Sequence, residues 1–423
     1  MQNPLTLVIF GATGDLYQSK LAPSLFNMFS TGLLPNDLNI IGFARKPLTD
    51  SDFQDLTKDA IFLKNKNPET KKIQDFLSCL KYIRGDLENL ESFKSLGEKL
   101  SAEDYKKGFC TNKLFYLAVP PSLYEVIFKN IALAGLTVPC APDVSDKEEK
   151  WTRVLVEKPF GKDIKDAERL DAMLGELFDE SQIFRIDHYM AKEILQNILT
   201  FRFSNSSLEP TWNKENIEKI RIIFHYAKTV EKRGSFFDGV GMLRDVGQNH
   251  MLQMLALIAM EDPSKSNGEI HRVRQKVLEK TKLVSEAEII RGQYEGYLME
   301  NGVKSDSNTE TFFCFTLAVD NDRWKGVPFE FEAGNALDIY EIFIEVYFKN
   351  RQNTQKFLVS SDQVKMRDAY EKVFNDCITG DQTIFISTPE IMAEWRITEE
   401  IIKKWQAIPL VIYKKGSTGE SIS

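Results

Sequence analysis

The sequence predicts an α/β fold followed by an α+β fold: an N-terminal doubly wound parallel sheet of Rossmann-like type, then a mainly antiparallel sheet with helices packed on one face. Three observations lead there. Apolar runs alternate with amphipathic helical stretches up to about residue 187, the rhythm of successive βαβ units. A glycine turn, Gly11 to Leu16, follows the first of those runs. Beyond Asp187 the pattern changes to long strand-like segments interrupted by apolar helices. Two domains are therefore expected, residues 1–187 and 188–423.

Leu5–Phe10 has the apolar pattern of a parallel strand buried on both faces. A helix is expected from about Leu16, then strands at Asn39–Ala44, Lys81–Arg84, Lys113–Val119, Arg153–Val156 and Gln182–Ile186, with helices between them such as Pro121–Ala134. Residues 139–150, rich in Pro, Asp, Ser and charge, read as a polar surface loop. In the second part Ile217–Phe224, Phe312–Val319, Phe329–Ala333 and Ile339–Phe348 have strand character, and Met251–Met260 reads as an apolar helix. The Gly- and Ser-rich end, residues 414–423, is expected to be disordered. There are no repeats and no low-complexity tract.

The 423 residues suffice for two or three domains. Apolar residues at 43% and charged residues at 27% are those of an ordinary globular protein. A net charge of −8, with Lys and Arg dispersed, argues against a nucleic-acid surface. Five cysteines, at 79, 110, 140, 314 and 377, have no paired metal-ligand spacing, so neither a metal site nor a disulfide framework is expected. With no signal peptide and no apolar run of membrane-spanning length, the expected location is the cytoplasm, in reduced form.

Two segments carry ligand chemistry. In Gly11, Ala12, Thr13, Gly14, Asp15 and Leu16, the first glycine permits the turn, and the second lets backbone amides approach a pyrophosphate at a helix N-terminus. Enzymes using NAD place an acid at the end of the second strand. Here Gly42-Phe-Ala-Arg-Lys46 offers Arg45 instead, suited to a 2′-phosphate with the Thr13 hydroxyl assisting, so residues 1–187 are expected to bind NADP. Lys158 ends a buried strand at the carboxyl edge of the sheet, where ligands of such folds bind. The second segment, Phe184-Arg-Ile-Asp-His-Tyr-Met-Ala-Lys192, is the most informative in the chain. A helix beginning near Tyr189 would aim His188, Tyr189 and Lys192 at one oxyanion, while the acceptor Asp187 faces a histidine.

That second segment resembles the substrate signature of the glucose-6-phosphate dehydrogenase family. The glycine turn, Val156-Glu-Lys-Pro-Phe-Gly161 and Arg244-Asp-Val-Gly-Gln-Asn-His250 agree in order and spacing, and weaker likeness runs through Ile290–Tyr294, Thr309–Phe312, Gly326–Phe329 and Trp395-Arg396. The resemblance implies NADP-dependent oxidation of D-glucose 6-phosphate at C1 to 6-phospho-D-glucono-1,5-lactone. His250 falls on the family's base, Asp187 on its orienting acid, and Lys158 on a lysine shared by sugar and nicotinamide. Tyr124 is expected beside the nicotinamide and Asp245 at a sugar hydroxyl. His225 and His271 have no implied role.

The chain departs from the family in three sugar-site positions. Tyr226 stands for a glutamate, Asn335 for a lysine and Tyr340 for a basic residue. Gln18 replaces a basic residue after the glycine turn, although Lys20 is kept. Between about Asn350 and Lys365 the chain is shorter, which is expected to remove much of the large sheet, a second, structural NADP site, and part of the surface that would form a homodimer. The rival readings are a dehydrogenase of a different phosphorylated or acidic sugar, and a catalytically silent nucleotide-binding homologue.

Overall fold

The computed structural model describes residues 3–140, 150–205, 207–266, 268–286, 288–350, 354–362 and 369–422. The backbone divides into two compact units, Met1–His188 with Asp368–Ile386, and Tyr189–Arg367 with Ser387–Ser423.

The first unit is built on six parallel strands: β1 (Leu5–Phe10), β2 (Leu38–Ala44), β3 (Leu80–Arg84), β4 (Asn112–Leu117), β5 (Thr152–Val156) and β6 (Ile183–Arg185), in the order β3-β2-β1-β4-β5-β6. Every residue of β1 is buried, as its apolar run requires of a strand covered on both faces. β1 pairs with both β2 and β4, so the order reverses at β1 and the glycine turn leaves the sheet at this switch point. Phe10, Phe43, Phe93 and Phe115 form an aromatic core, with ring centroids 5.3 to 6.0 Å apart. The helix Ala369–Thr379 and the segment after it join this unit. Arg153 donates to the carbonyls of Cys377 and Ile378 at 2.6 and 2.9 Å, and the Ile386 amide donates to Arg185 O at 3.1 Å.

The second unit carries eight strands: β7 (Ile217–His225), β8 (Thr281–Leu283), β9 (Ile290–Tyr294), β10 (Phe312–Val319), β11 (Pro328–Gly334), β12 (Glu341–Phe348), β13 (Thr354–Ser361) and β14 (Leu410–Tyr413). Seven follow the order β13-β12-β7-β11-β10-β9-β14, and β8 pairs with β10. Neighbours are antiparallel except β7–β11 and β9–β14. Along β7, Ile220, Ile222 and Phe224 are wholly buried, while on the other face Lys219, Arg221 and His225 are partly exposed and Ile223 is buried, a period-two pattern broken at Ile223. Helices Leu252–Ala259, Ile270–Glu279 and Thr388–Trp405 bring their own lock: Glu390 accepts from Arg274 Nε at 2.7 Å and lies 2.9 Å from His271 Nδ1.

Four expectations need correction. Cys110 and Cys140 form a disulfide, whereas Cys79, Cys314 and Cys377 are free thiols. The thirty-residue separation holds no sequence signal; the return of the chain after helix Tyr124–Leu133 brings the two Cα atoms within 5.9 Å. The C-terminal residues 414–422 are ordered, because Gly416 N–H donates to Ala336 O at 2.8 Å and Asp338 N–H to Ser417 O at 3.2 Å. The helix expected near Tyr189 begins at Glu193, and residues 188–191 form a turn. The shortened chain still carries a large sheet, of eight strands among the described residues. The polar loop expected at 139–150 falls, for residues 141–149, outside the described residues, as do 351–353 and 363–368 within the shortened stretch. Among the described residues no helix is long and apolar enough to cross a membrane.

Candidate active site

In the first unit the glycine turn is as tight as its sequence demands. Gly11 has φ +81°, and a Cβ there would lie 2.4 Å from Ala118 O, so only glycine fits. Its amide donates to Phe43 O and its carbonyl accepts from Gly14 N–H, both at 2.9 Å. Ala12 is buried, Thr13, Gly14 and Leu16 are half-buried and Asp15 is exposed at the helix start. Gln18 Nε2 donates to the Thr13 carbonyl at 3.2 Å, bracing the turn. Arg45 is exposed beyond the end of β2. Around it Tyr82 donates to the carbonyls of Ala44 and Lys46 at 3.0 and 2.7 Å, a brace with no signature in the sequence. A cradle that any side chain would fill, a helix start and an exposed guanidinium together fit a phosphorylated dinucleotide.

At the carboxyl ends of β5 and β6 the same unit gathers Glu157, Lys158, Asp187 and His188. The Lys158–Pro159 peptide is cis. Tyr116 OH donates to Glu157 Oε1 at 2.5 Å, and Tyr124, only 1% exposed, donates to the Glu157 carbonyl at 2.9 Å. Burial raises the Glu157 carboxyl above its ordinary range; hydrogen bonds from Tyr116 and Tyr370 and the Lys158 charge oppose this, and Asp187 adds to it. Asp187 is buried, and the His188 ring lies parallel to that of Tyr370 with centroids 6.5 Å apart. Sequence reasoning passed over Glu157, though it stands in the Glu157-Lys158-Pro159 motif. Tyr370 gave no signal, because it comes from a distant segment.

The second unit holds Tyr189, Lys192, Asp245 and His250. Lys192 caps the helix Glu193–Phe203, and its ammonium sits 4.1 Å from the Tyr189 ring centroid. The Tyr189 ring packs on the buried His250 ring, centroids 4.2 Å apart, and Phe224 lies parallel to His250 at 6.4 Å. Leu243–Met251 is a π-helix. Its i→i+5 bonding sets Asp245 and His250, five residues apart, one turn from each other on a shared face; an α-helix would rotate them about 140° apart. Glu310 starts this helix: its Oε1 accepts from Leu243 N–H at 3.0 Å and its backbone carbonyl from Met242 N–H at 3.0 Å. The only earlier sign of that role was the Thr309–Phe312 likeness. Asp245 pairs with Arg233, while the neighbouring Arg244 reaches back to Val240 O at 3.5 Å.

The three departures also lie in this unit. Tyr226 OH is 3.1 Å from Tyr189 OH, the Tyr226 and Tyr340 rings are 5.8 Å apart, and Tyr340 OH is 2.8 Å from Ser360 Oγ. Asn335 donates from its backbone to Thr311 O at 2.9 Å, and its amide points at the Met242 sulfur, 3.6 Å away.

Comparison with known proteins agrees with these observations. Residues 8–197 match the family described as glucose-6-phosphate dehydrogenase, NAD binding domain, and residues 199–363 and 352–423 match the C-terminal domain of the same enzyme. The chain is 35% identical to the cytoplasmic glucose-6-phosphate 1-dehydrogenase 6 of Arabidopsis thaliana, covering 98% of this chain and 89% of the relative. It is 32% identical to the glucose-6-phosphate 1-dehydrogenase of Chlamydia muridarum, covering 96% and 91%. Among solved structures it superposes with TM-score 0.87 and 29% identity on a glucose-6-phosphate dehydrogenase in complex with glucose 6-phosphate, covering 99% of this chain and 96% of that one. A myo-inositol 2-dehydrogenase from Lactobacillus plantarum, at TM-score 0.54 and 12% identity, shares the fold.

Proposed function

The chain belongs to the glucose-6-phosphate dehydrogenase family, and from that premise we propose that it oxidises D-glucose 6-phosphate at C1 to 6-phospho-D-glucono-1,5-lactone with NADP, in the oxidative pentose phosphate pathway. When bound, NADP supplies the hydride acceptor. Gly11 to Leu16 hold its pyrophosphate against backbone amides, and Arg45 with Thr13 takes its 2′-phosphate. The observation that carries the reading is the packing of the Tyr189 ring on the His250 ring, tilted by 39° with centroids 4.2 Å apart, which puts a phenol suited to an oxyanion beside a buried imidazole.

In this reading His250 accepts the C1 hydroxyl proton as hydride leaves, and Asp187 orients and steadies the imidazolium, as carboxylates do in histidine dyads. His188, Tyr189 and Lys192 bind the phosphate. Lys158 holds the sugar beside the nicotinamide, whose pocket Tyr124 supports through the Glu157 backbone, and Asp245 accepts from a sugar hydroxyl. Residues 1–187 serve the nucleotide and 188–423 the sugar. The protein is read as cytoplasmic, a reading supported by the names of plant relatives, and as a homodimer of the 48.6 kDa chain, to be checked by light scattering.

The test is NADPH formation, followed by absorbance, with glucose 6-phosphate, free glucose and a panel of other sugar phosphates. Turnover of glucose 6-phosphate supports the reading. A second reading, a different phosphorylated sugar, is favoured by the uncharged Tyr226 and Tyr340, and turnover confined to another sugar phosphate would establish it. Tight NADP binding without any turnover would instead mark a silent homologue.

A further inference from the structure

We infer that Tyr82 is a positioning residue for coenzyme selection: its phenol holds the carbonyls on both sides of Arg45, so that the guanidinium is set in advance for the 2′-phosphate that distinguishes NADP from NAD. The inference rests on the reading of Arg45 as the 2′-phosphate ligand. Tyr82 OH lies 3.0 Å from Ala44 O and 2.7 Å from Lys46 O. A carbonyl oxygen can only accept, so the phenol is the donor in both contacts and its single proton is shared between them. Burial raises the phenol above its ordinary range, against the opposing charge of Arg84, and it stays protonated at physiological pH.

Arg45 stands where the chain has left the sheet. β2 ends at Ala44, and the next helix starts at Asp50. The same two carbonyls also accept backbone bonds, Ala44 O from Gly85 N–H at 3.1 Å and Lys46 O from Leu48 N–H at 3.0 Å. The Leu48 bond lies within the loop itself, so of these bonds it is the phenol's that ties Lys46 to the sheet. Tyr82 is itself well anchored. It sits opposite Gly42 in the β2–β3 ladder, and its N–H donates to Asp50 Oδ1 at 2.6 Å. Its ring packs on the wholly buried Phe53, centroids 5.5 Å apart. A Cβ on Gly42 would come within 2.5 Å of that Phe53 ring, so the glycine makes room for the aromatic support. The Arg45 side chain is exposed beyond this frame. A long side chain whose backbone is already fixed loses less freedom when it clamps an anion.

The experiment measures calorimetric binding to the full chain and to its Tyr82→Phe, Arg45→Ala and double variants. The ligands are NADP, NAD, adenosine 2′,5′-bisphosphate and adenosine 5′-monophosphate; the last two differ only in the 2′-phosphate. Tyr82→Phe deletes one oxygen, keeps the ring on Phe53 and leaves each carbonyl its backbone donor. Kd for NADP and for the bisphosphate should each rise about three- to tenfold, the scale of one hydrogen bond, with NAD and the monophosphate within about twofold of the parent. Arg45→Ala should weaken the same two ligands at least as much, and the double variant no more than Arg45→Ala alone, since Tyr82 acts through that side chain. Loss of NADP affinity in Arg45→Ala but not in Tyr82→Phe overturns this inference and spares the Arg45 assignment. No loss in Arg45→Ala means that the assignment itself has failed. An equal loss for the monophosphate in Tyr82→Phe would assign the residue a structural role only, and a double variant weaker than Arg45→Ala would separate Tyr82 from the guanidinium; either result overturns it.

Discussion

Nη2 of Arg233 lies 3.1 Å from Oδ1 and 3.0 Å from Oδ2 of Asp245, so a single nitrogen spans both carboxylate oxygens. The Asp245 side chain is 13% exposed and that of Arg233 58%. The guanidinium thus sits at the rim, turning a carboxylate that shares a π-helical face with His250. An aspartate expected to take a sugar hydroxyl is orientated by a residue twelve positions earlier.

Replacing that arginine separates orientation from stability. An exposed pair contributes at most about 1 kcal/mol, so Arg233→Met should shift the thermal midpoint little. KM for glucose 6-phosphate should rise about two- to fivefold, because Asp245 loses its fixed geometry. A lowered midpoint at unchanged KM would make the pair merely structural.

His250→Asn keeps a polar group of similar reach and removes the base. General-base loss is typically a factor of about 10²–10⁴ in rate, and kcat should fall by that much while calorimetry finds glucose 6-phosphate bound nearly as before. Near-full turnover in this variant would place the base on another residue.

Arg45 can be tested through the coenzyme alone. Arg45→Asp replaces a guanidinium that would pair with the 2′-phosphate by a carboxylate that repels it. The NADP KM should rise at least about tenfold while the NAD KM stays level or falls. Unchanged NADP affinity would remove the argument from the end of β2.

Glu390 links pH to stability. Burial alone would raise its pKa, but Arg274 and His271 hold it down to about 2. A carboxyl depressed on folding stabilises the folded state fully above its unfolded pKa, about 4.3, and loses that contribution as pH falls toward 2. Arg274→Met takes the guanidinium from a fully buried carboxylate, leaving it only His271 and Ser387, and should cost about 3–5 kcal/mol at neutral pH. Chemical denaturation from pH 7 to 3 reads both effects; a variant as stable as the parent would show that the helices do not depend on this lock.

The first sheet was legible because its central strands are buried on both faces, and a continuous apolar run such as Leu5–Phe10 states that burial directly. The glycine turn was legible for a related reason: Gly11 occupies a left-handed conformation against Ala118, which other residues resist. The short motif from Arg185 to Lys192 could be read as ligand chemistry because its polar groups are neighbours in the chain. Its geometry could not, since the helix starts four residues later than expected and Lys192 caps it from above the Tyr189 ring.

What the chain dictates locally is therefore the order of strands and helices, the dinucleotide turn, and the identity of the groups that carry chemistry. Partnership was decided only on folding. Arg233 with Asp245, Tyr370 with Glu157, Glu310 with Leu243, Tyr226 with Tyr189 and Cys110 with Cys140 all join segments separated in sequence, and such pairings depend on sheet register and helix winding. Backbone propensity is a property of neighbouring residues, whereas a hydrogen bond between distant side chains exists only once the whole sheet has set their spacing.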